Sequence, residues 1–231
     1  MDSRQLHYLE TMGIQVWQQR QPTSTGKKPL VETGEELIPL APSAEVASEW
    51  EELAVQVASC TACLLHCGRT QTVFGVGDQA AKWLIVGEAP GVEEDRQGEP
   101  FVGRAGQLLN AMLEAVGLQR GQVYIANILK CRPPNNRDPL PEEVAHCEPY
   151  LRRQVALLRP RIILAVGRVA GQNLLKSSLP LGRLRGSVHQ YPETTIPLVV
   201  TYHPAYLLRA PREKRRAWQD LQLAHKVYRE F

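Results

Sequence analysis

The chain has 231 residues, 43% of them hydrophobic and 22% charged, an ordinary balance for a globular protein and enough for one full-sized α/β domain plus a tail. No apolar run approaches the roughly 18–20 residues of a membrane span, and Met1-Asp2-Ser3-Arg4-Gln5 lacks the basic start and apolar core of a secretory signal; the expectation is a cytoplasmic protein with no membrane partner. The net charge of +3 is too small to indicate nucleic acid on its own.

Residues 1–45 read as an N-terminal extension and linker, with Pro22, Thr23, Ser24, Gly26, Pro39 and Pro42 as its loop-forming residues. Ahead of that linker, Leu6, Leu9, Met12, Val16 and Trp17 recur at roughly helical spacing. Such a stripe suits a helix that folds back on its own domain or one that docks a protein partner. Residues 46–231 read as the folded domain. Glu45–Ala58 is expected to be a helix, and Lys82–Val86 a buried strand running into Gly87-Glu88-Ala89-Pro90-Gly91. Leu108, Leu109, Met112, Leu113 and Val116 mark a helical face that Gly117 stops. Val123–Leu129 is the next strand, and Pro141-Glu142-Glu143 opens a helix with proline in the first turn and acids at the positive dipole end. Strands at Arg161–Val166 and Ile196–Tyr202 follow, with helices near Val169–Leu175 and over Glu213–Tyr228. Alternating strands and helices predict an α/β fold: a three-layer αβα sandwich around a mainly parallel four-stranded sheet.

Ligands of such a sheet gather at the carboxyl ends of its strands. There the sequence places Glu88 after the first strand, Asn127 near the end of the second, Gly167-Arg168 after the third and His203 after the fourth. A lone loop histidine is more often a satisfied structural group; a carboxylate, an amide and an imidazole on one rim point to a site. Gly87–Gly91 is not a nucleotide-binding glycine motif, and no Walker sequence occurs. Gly103-Arg104-Ala105-Gly106 opens a helix whose free N–H groups suit a phosphate.

Charge is unevenly spread. From Leu151 to Gln190 there are eight Lys/Arg, Arg168 and Arg185 among them, and no Asp or Glu. A stripe of this kind suits a phosphate backbone, and equally a solvated surface. Of the five cysteines, Cys60-x-x-Cys63 fits a two-thiolate clamp that Cys131 and Cys147 could close into a four-sulfur site for an iron–sulfur cluster or zinc. Cys67 is left over as a spare thiol.

Four longer motifs occur in order: Gly87-Glu88-Ala89-Pro90-Gly91, Pro100-Phe101-Val102-Gly103-Arg104-Ala105-Gly106, Asn127 to Pro139 (NILKCRPPNNRDP), and His203-Pro204-Ala205-Tyr206-Leu207-Leu208-Arg209. With the cysteines, this set resembles the family 4 (thermophile-type, iron–sulfur) uracil-DNA glycosylases from about Cys60 to Arg209. The resemblance implies hydrolysis of the N-glycosidic bond of uracil in DNA, as the start of base excision repair, by a monomer that carries a [4Fe–4S] cluster on Cys60, Cys63, Cys131 and Cys147. It also implies that the uracil is flipped into a pocket. There Gly87, Glu94, Phe101, Asn127, Asn136 and His203 would hold it: Phe101 by stacking, Asn127 by reading its pairing edge, Glu94 by excluding the methyl group of thymine. Glu88 would orient water and stabilise the sugar cation, and His203 the charge developing on O2. Arg104, Arg185 and Arg209 are the expected DNA contacts, with Tyr206, Leu207 and Leu208 as a wedge. Two alternatives stand beside this: a non-catalytic uracil-DNA-binding protein of the same fold, or covalent trapping, for which the basic insertion of a related branch is absent and His189 is no substitute.

Overall fold

Four runs of apolar residues bury every side chain they carry, which is the signature of strands covered on both faces. They are β2 (Trp83–Gly87), β3 (Tyr124–Asn127), β4 (Ile162–Val166) and β6 (Pro197–Thr201). The computed structural model of the protein describes residues 44–230, so the apolar stripe Leu6–Trp17 and the linker expected before residue 44 lie outside the described residues. The strands pair in parallel in the order β3-β2-β4-β6. Alternation along each strand sends side chains to opposite faces. From β2, Leu84 and Val86 enter one core cluster, whereas Trp83 and Ile85 enter the other.

Each cluster is roofed by helices. The first takes Trp50 of α1 (Ala44–Ala58), Val144, Leu151 and Val155 of α4 (Pro141–Leu158), and Ala170 and Leu174 of α5 (Arg168–Leu174). The second takes Leu109 and Leu113 of α3 (Arg104–Ala115) and Leu221 and Ala224 of α8 (Lys214–Arg229). The arrangement is therefore the expected three-layer αβα sandwich, but its sheet has six strands, not four. Two short antiparallel strands extend it: β1 (Val76–Gly77) beside β3 and β5 (Val188–Gln190) beside β6. Both are edges of two or three part-exposed residues, too short to show an apolar run. Short helices α2 (Val92–Gln97), α6 (Leu181–Leu184) and α7 (Pro204–Arg209) complete the set.

The connection leaving β2 runs to β3 on one side, and that leaving β4 runs towards β6 on the other. Such a reversal opens a crevice at the carboxyl ends of β2 and β4.

Candidate active site

A cavity of about 480 Å³ occupies this crevice, lined by Glu88, Glu94, Phe101, Asn127, Asn136, Asp138, His203, Tyr206 and Arg209 among others. Strand register brings its floor together: Gly87 at the end of β2 pairs with Asn127 at the end of β3. A Cβ on Gly87 would lie 2.3 Å from Asn127 Oδ1 and 2.7 Å from Phe101 Cζ. Glycine is needed there because the space is already taken by the two side chains. Asn127 is 2% exposed, and its Oδ1 has no hydrogen-bond partner within the fold. A buried amide oxygen left unpaired costs about 1–3 kcal/mol, so its position on the cavity floor marks where a donor on a ligand belongs.

Phe101 forms the adjoining wall. Its backbone is left-handed, with φ of +55°, and its ring stacks on His203 with centroids 5.6 Å apart and planes at 30°. His203 is the N-cap of α7, and its Nδ1 accepts the Ala205 backbone N–H at 3.2 Å. Burial brings the imidazole down to about 4, the Arg209 charge adds to this, and Glu94 opposes both. The ring is thus neutral near pH 7. With Nδ1 used as an acceptor, its proton sits on Nε2.

Glu88 is the opposite case. Burial pushes its carboxyl up to about 7, the Asp138 charge pushes the same way, and Arg168 pulls back. Asp138 and Arg168 form an ion pair across the crevice mouth. The sequence gives no sign that either neighbours Glu88; Asp138 follows a 3₁₀ turn over Pro134–Asn136, a place strand-end reasoning does not reach. In that turn Asn135 and Asn136 both have positive φ, and Asn136 Oδ1 accepts Arg132 Nε at 2.8 Å. Glu94 Oε1 accepts the backbone N–H groups of Val102 and Gly103 at 3.0 and 3.3 Å, which ties α2 to the segment that carries Phe101.

The structure separates the expected DNA contacts. Tyr206 and Leu208 are 40% and 37% exposed, but Leu207 is 1% exposed and packs in the core, so a wedge that includes Leu207 is not what the fold presents. Arg185 is held by Asp220 at 2.9 and 3.1 Å and by the Arg216 carbonyl at 2.7 Å. It lies over Tyr202, which stacks on Tyr206; Arg185 therefore supports an aromatic pair from behind. Arg104 is exposed at the first turn of α3 and Arg209 lines the cavity. Much of the basic stripe is also neutralised: Arg152 pairs with Glu148 and Glu193, and Lys176 with Glu148.

Cys60, Cys63, Cys131 and Cys147 line one small cavity with His66, Arg69, Lys130, His146 and Tyr150. Cys67 is exposed, 3.4 Å from His66 Nε2, and outside that cavity. Among the described residues no three His, Cys, Asp or Glu side chains converge as a single ion requires; a tetrahedral zinc about 2.3 Å from each sulfur needs sulfurs about 3.8 Å apart. Two donors point at these sulfurs. Arg69 Nη1 donates to Cys131 Sγ at 3.1 Å and the Lys130 N–H to Cys147 Sγ at 3.4 Å. Lys130 itself is 1% exposed, and its Nζ donates to the Asn127 carbonyl at 3.0 Å and to Gln154 Oε1 at 2.6 Å. A buried ammonium on two neutral acceptors needs a nearby negative charge, and thiolates would supply it. As free thiols Cys131 and Cys147 are instead held protonated, burial pushing Cys147 up to about 11.

The family pattern of the uracil DNA glycosylase superfamily matches residues 74–222. The chain belongs to that superfamily. It is 43% identical over 178 residues to the type-4 uracil-DNA glycosylase of Archaeoglobus fulgidus, covering 74% of this chain and 89% of that protein. It is 41% identical over 179 residues to that of Pyrobaculum aerophilum, covering 75% and 91%, and 43% identical over 162 residues to that of Thermotoga maritima, covering 69% and 83%. The matched span of this uracil-DNA glycosylase superfamily member contains β1 to β6 and all the residues named as lining the crevice cavity, whereas Cys60 and Cys63 precede it.

Proposed function

We propose that the protein excises uracil from DNA by hydrolysing the N-glycosidic bond, as the first step of base excision repair. One observation carries the reading: an unpaired, buried Asn127 amide oxygen beside an aromatic wall, in a chain of this superfamily. An amide both accepts and donates, which matches the N3–H and O4 of uracil and mismatches the donor at the same place in cytosine. The base reaches the pocket by leaving the stack and lies against Phe101. Glu94, already fixed between two loops, closes the space beside C5, where the thymine methyl would project.

Cleavage generates positive charge on the sugar and negative charge on the leaving base. Neutral His203, protonated on Nε2, donates to O2 as that charge develops, and a neutral donor spares the site the cost of a buried cation. Glu88, as a carboxylate, stabilises the sugar cation and orients the attacking water. Tyr206, Leu208, Arg104 and Arg209 provide the surface for the flanking strand. Cys60, Cys63, Cys131 and Cys147 would hold a [4Fe–4S] cluster, which supplies a crosslink between the N-terminal part of the domain, the segment after β3 and α4. Base removal transfers no electron, so the group's contribution is architectural. The place of action in this reading is the cytoplasm; no helix among the described residues is long and apolar enough to cross a membrane.

The test is incubation with a uracil-containing oligonucleotide followed by alkaline cleavage. Strand scission at the uracil position is expected. Binding without scission would replace catalysis by recognition alone, and an SDS-stable adduct would indicate covalent trapping.

A further inference from the structure

The wall of the pocket raises a question of its own: what holds Phe101 in a left-handed backbone? A bulky side chain at φ of +55° persists only where its surroundings over-determine it. Two features do so. Gly106, in the first turn of α3, approaches so closely that a Cβ there would lie 1.8 Å from the Phe101 carbonyl oxygen. The second is Arg120, in the 3₁₀ turn Arg120–Gln122 just before β3. Its Nη2 donates to the Pro100 carbonyl at 2.6 Å, and its Nη1 donates to the Phe101 carbonyl at 3.4 Å and to Asn110 Oδ1 at 3.3 Å.

We propose that Arg120 is a positioning residue for uracil recognition: it fixes the Pro100–Phe101 backbone and so sets the plane of the stacking ring. The proposal rests on the uracil reading above. Pro100 and Phe101 are buried in a bend outside any strand, and no backbone N–H outside the helices and strands bonds their carbonyls, so a donor from elsewhere must satisfy them. A guanidinium suits the task because its planar fork engages two successive carbonyls while a third contact, to Asn110 on α3, fixes the fork. Arg120 is half-buried and spends its donors on these oxygens, and it does not line the cavity. Its effect therefore passes through Phe101, and no contact with DNA is required.

The protein has three phenylalanines, so fluorophenylalanine labelling gives three resonances, one of them Phe101 beside the His203 ring. In the full chain, Arg120→Met is expected to move the Phe101 resonance and raise KM for uracil-DNA about tenfold, the loss of a charge-assisted bond, with kcat within about twofold. Arg120→Lys, which keeps one donor, is expected to recover part of both changes. An unchanged Phe101 resonance in folded Arg120→Met overturns the proposal. So does a fall in kcat and thermal stability with KM unmoved, the mark of a merely structural residue. Should Arg120→Met not fold, Asn110→Leu, which frees the fork, must shift the same resonance in the same direction, and its failure to do so also overturns the proposal. Added uracil should shift the Phe101 resonance of the unaltered protein. If it does not, the uracil reading fails, whereas the effect of Arg120→Met on that resonance still decides whether Arg120 sets the ring.

Discussion

Two polar chambers lie on either side of a single short segment, Asn127 to Cys131, and they treat polarity in opposite ways. The pocket at Asn127 leaves an acceptor unpaired and keeps its histidine neutral and its glutamate at the edge of ionisation. The cysteine cavity three residues on surrounds its sulfurs with donors, among them the Arg69 guanidinium and the Lys130 N–H. The first leaves room for a partner from outside the fold; the second turns its donors onto sulfur. Lys130 joins them, lining the cysteine cavity while its ammonium holds the Asn127 carbonyl.

Substitutions should separate the two. The largest effect is expected from Asn127→Ala and Glu88→Gln, each lowering single-turnover uracil release about 10²–10³-fold with no large loss of thermal stability. Lys130→Met should do the reverse. It strands two buried acceptors, costing about 1–3 kcal/mol each, seen as a lower urea midpoint, with less than about tenfold change in rate. Equal damage to rate and stability from both classes would mean that the chambers are not separable.

Leu207 and Leu208 sharpen the same contrast between interior and surface. Leu207→Ala should cost about 2–5 kcal/mol of stability as a core cavity. Leu208→Ala should stay within about 0.5 kcal/mol and, if it shows an effect, show it on DNA affinity.

The smallest expected effects are those of pH. The folded-state value of Glu88, about 7, lies above its ordinary 4.5. Its charged form is therefore disfavoured by the fold, and stability falls as pH rises from about 4.5 to about 7. Glu88→Gln should remove that fall and raise Tm at pH 8 by about 2–4 °C. In the unaltered enzyme kcat/KM should rise through about pH 7 as the carboxylate forms. His203, neutral above about 4, should add no second inflection in that range.

The parts of this molecule legible in its sequence are those set by local pattern. Buried strands announce themselves as apolar runs, and residues at their carboxyl ends face a common crevice, so Glu88, Asn127 and His203 could be placed before any coordinates. The two edge strands could not, because two or three half-exposed residues carry no periodic signal. Nor could the faces of α7: Tyr206, Leu207 and Leu208 are adjacent, and packing on the core alone decides that Leu207 points inward. The basic stripe left two readings open for a related reason. Its segment contains no acids, yet Glu148, one turn earlier in α4, reaches Arg152, and Glu193, Glu148, Asp138 and Asp220 reach Arg152, Lys176, Arg168 and Arg185 from other elements. Arg120, distant in sequence from the loop it holds, gave no local sign at all.

The most direct test of the central claim is single-turnover base release from two duplexes that differ only in carrying uracil or thymine at one position. A pocket built on Asn127, Glu94 and Phe101 predicts fast release of uracil and none of thymine above background. Equal release of both bases, or release of neither, would contradict it.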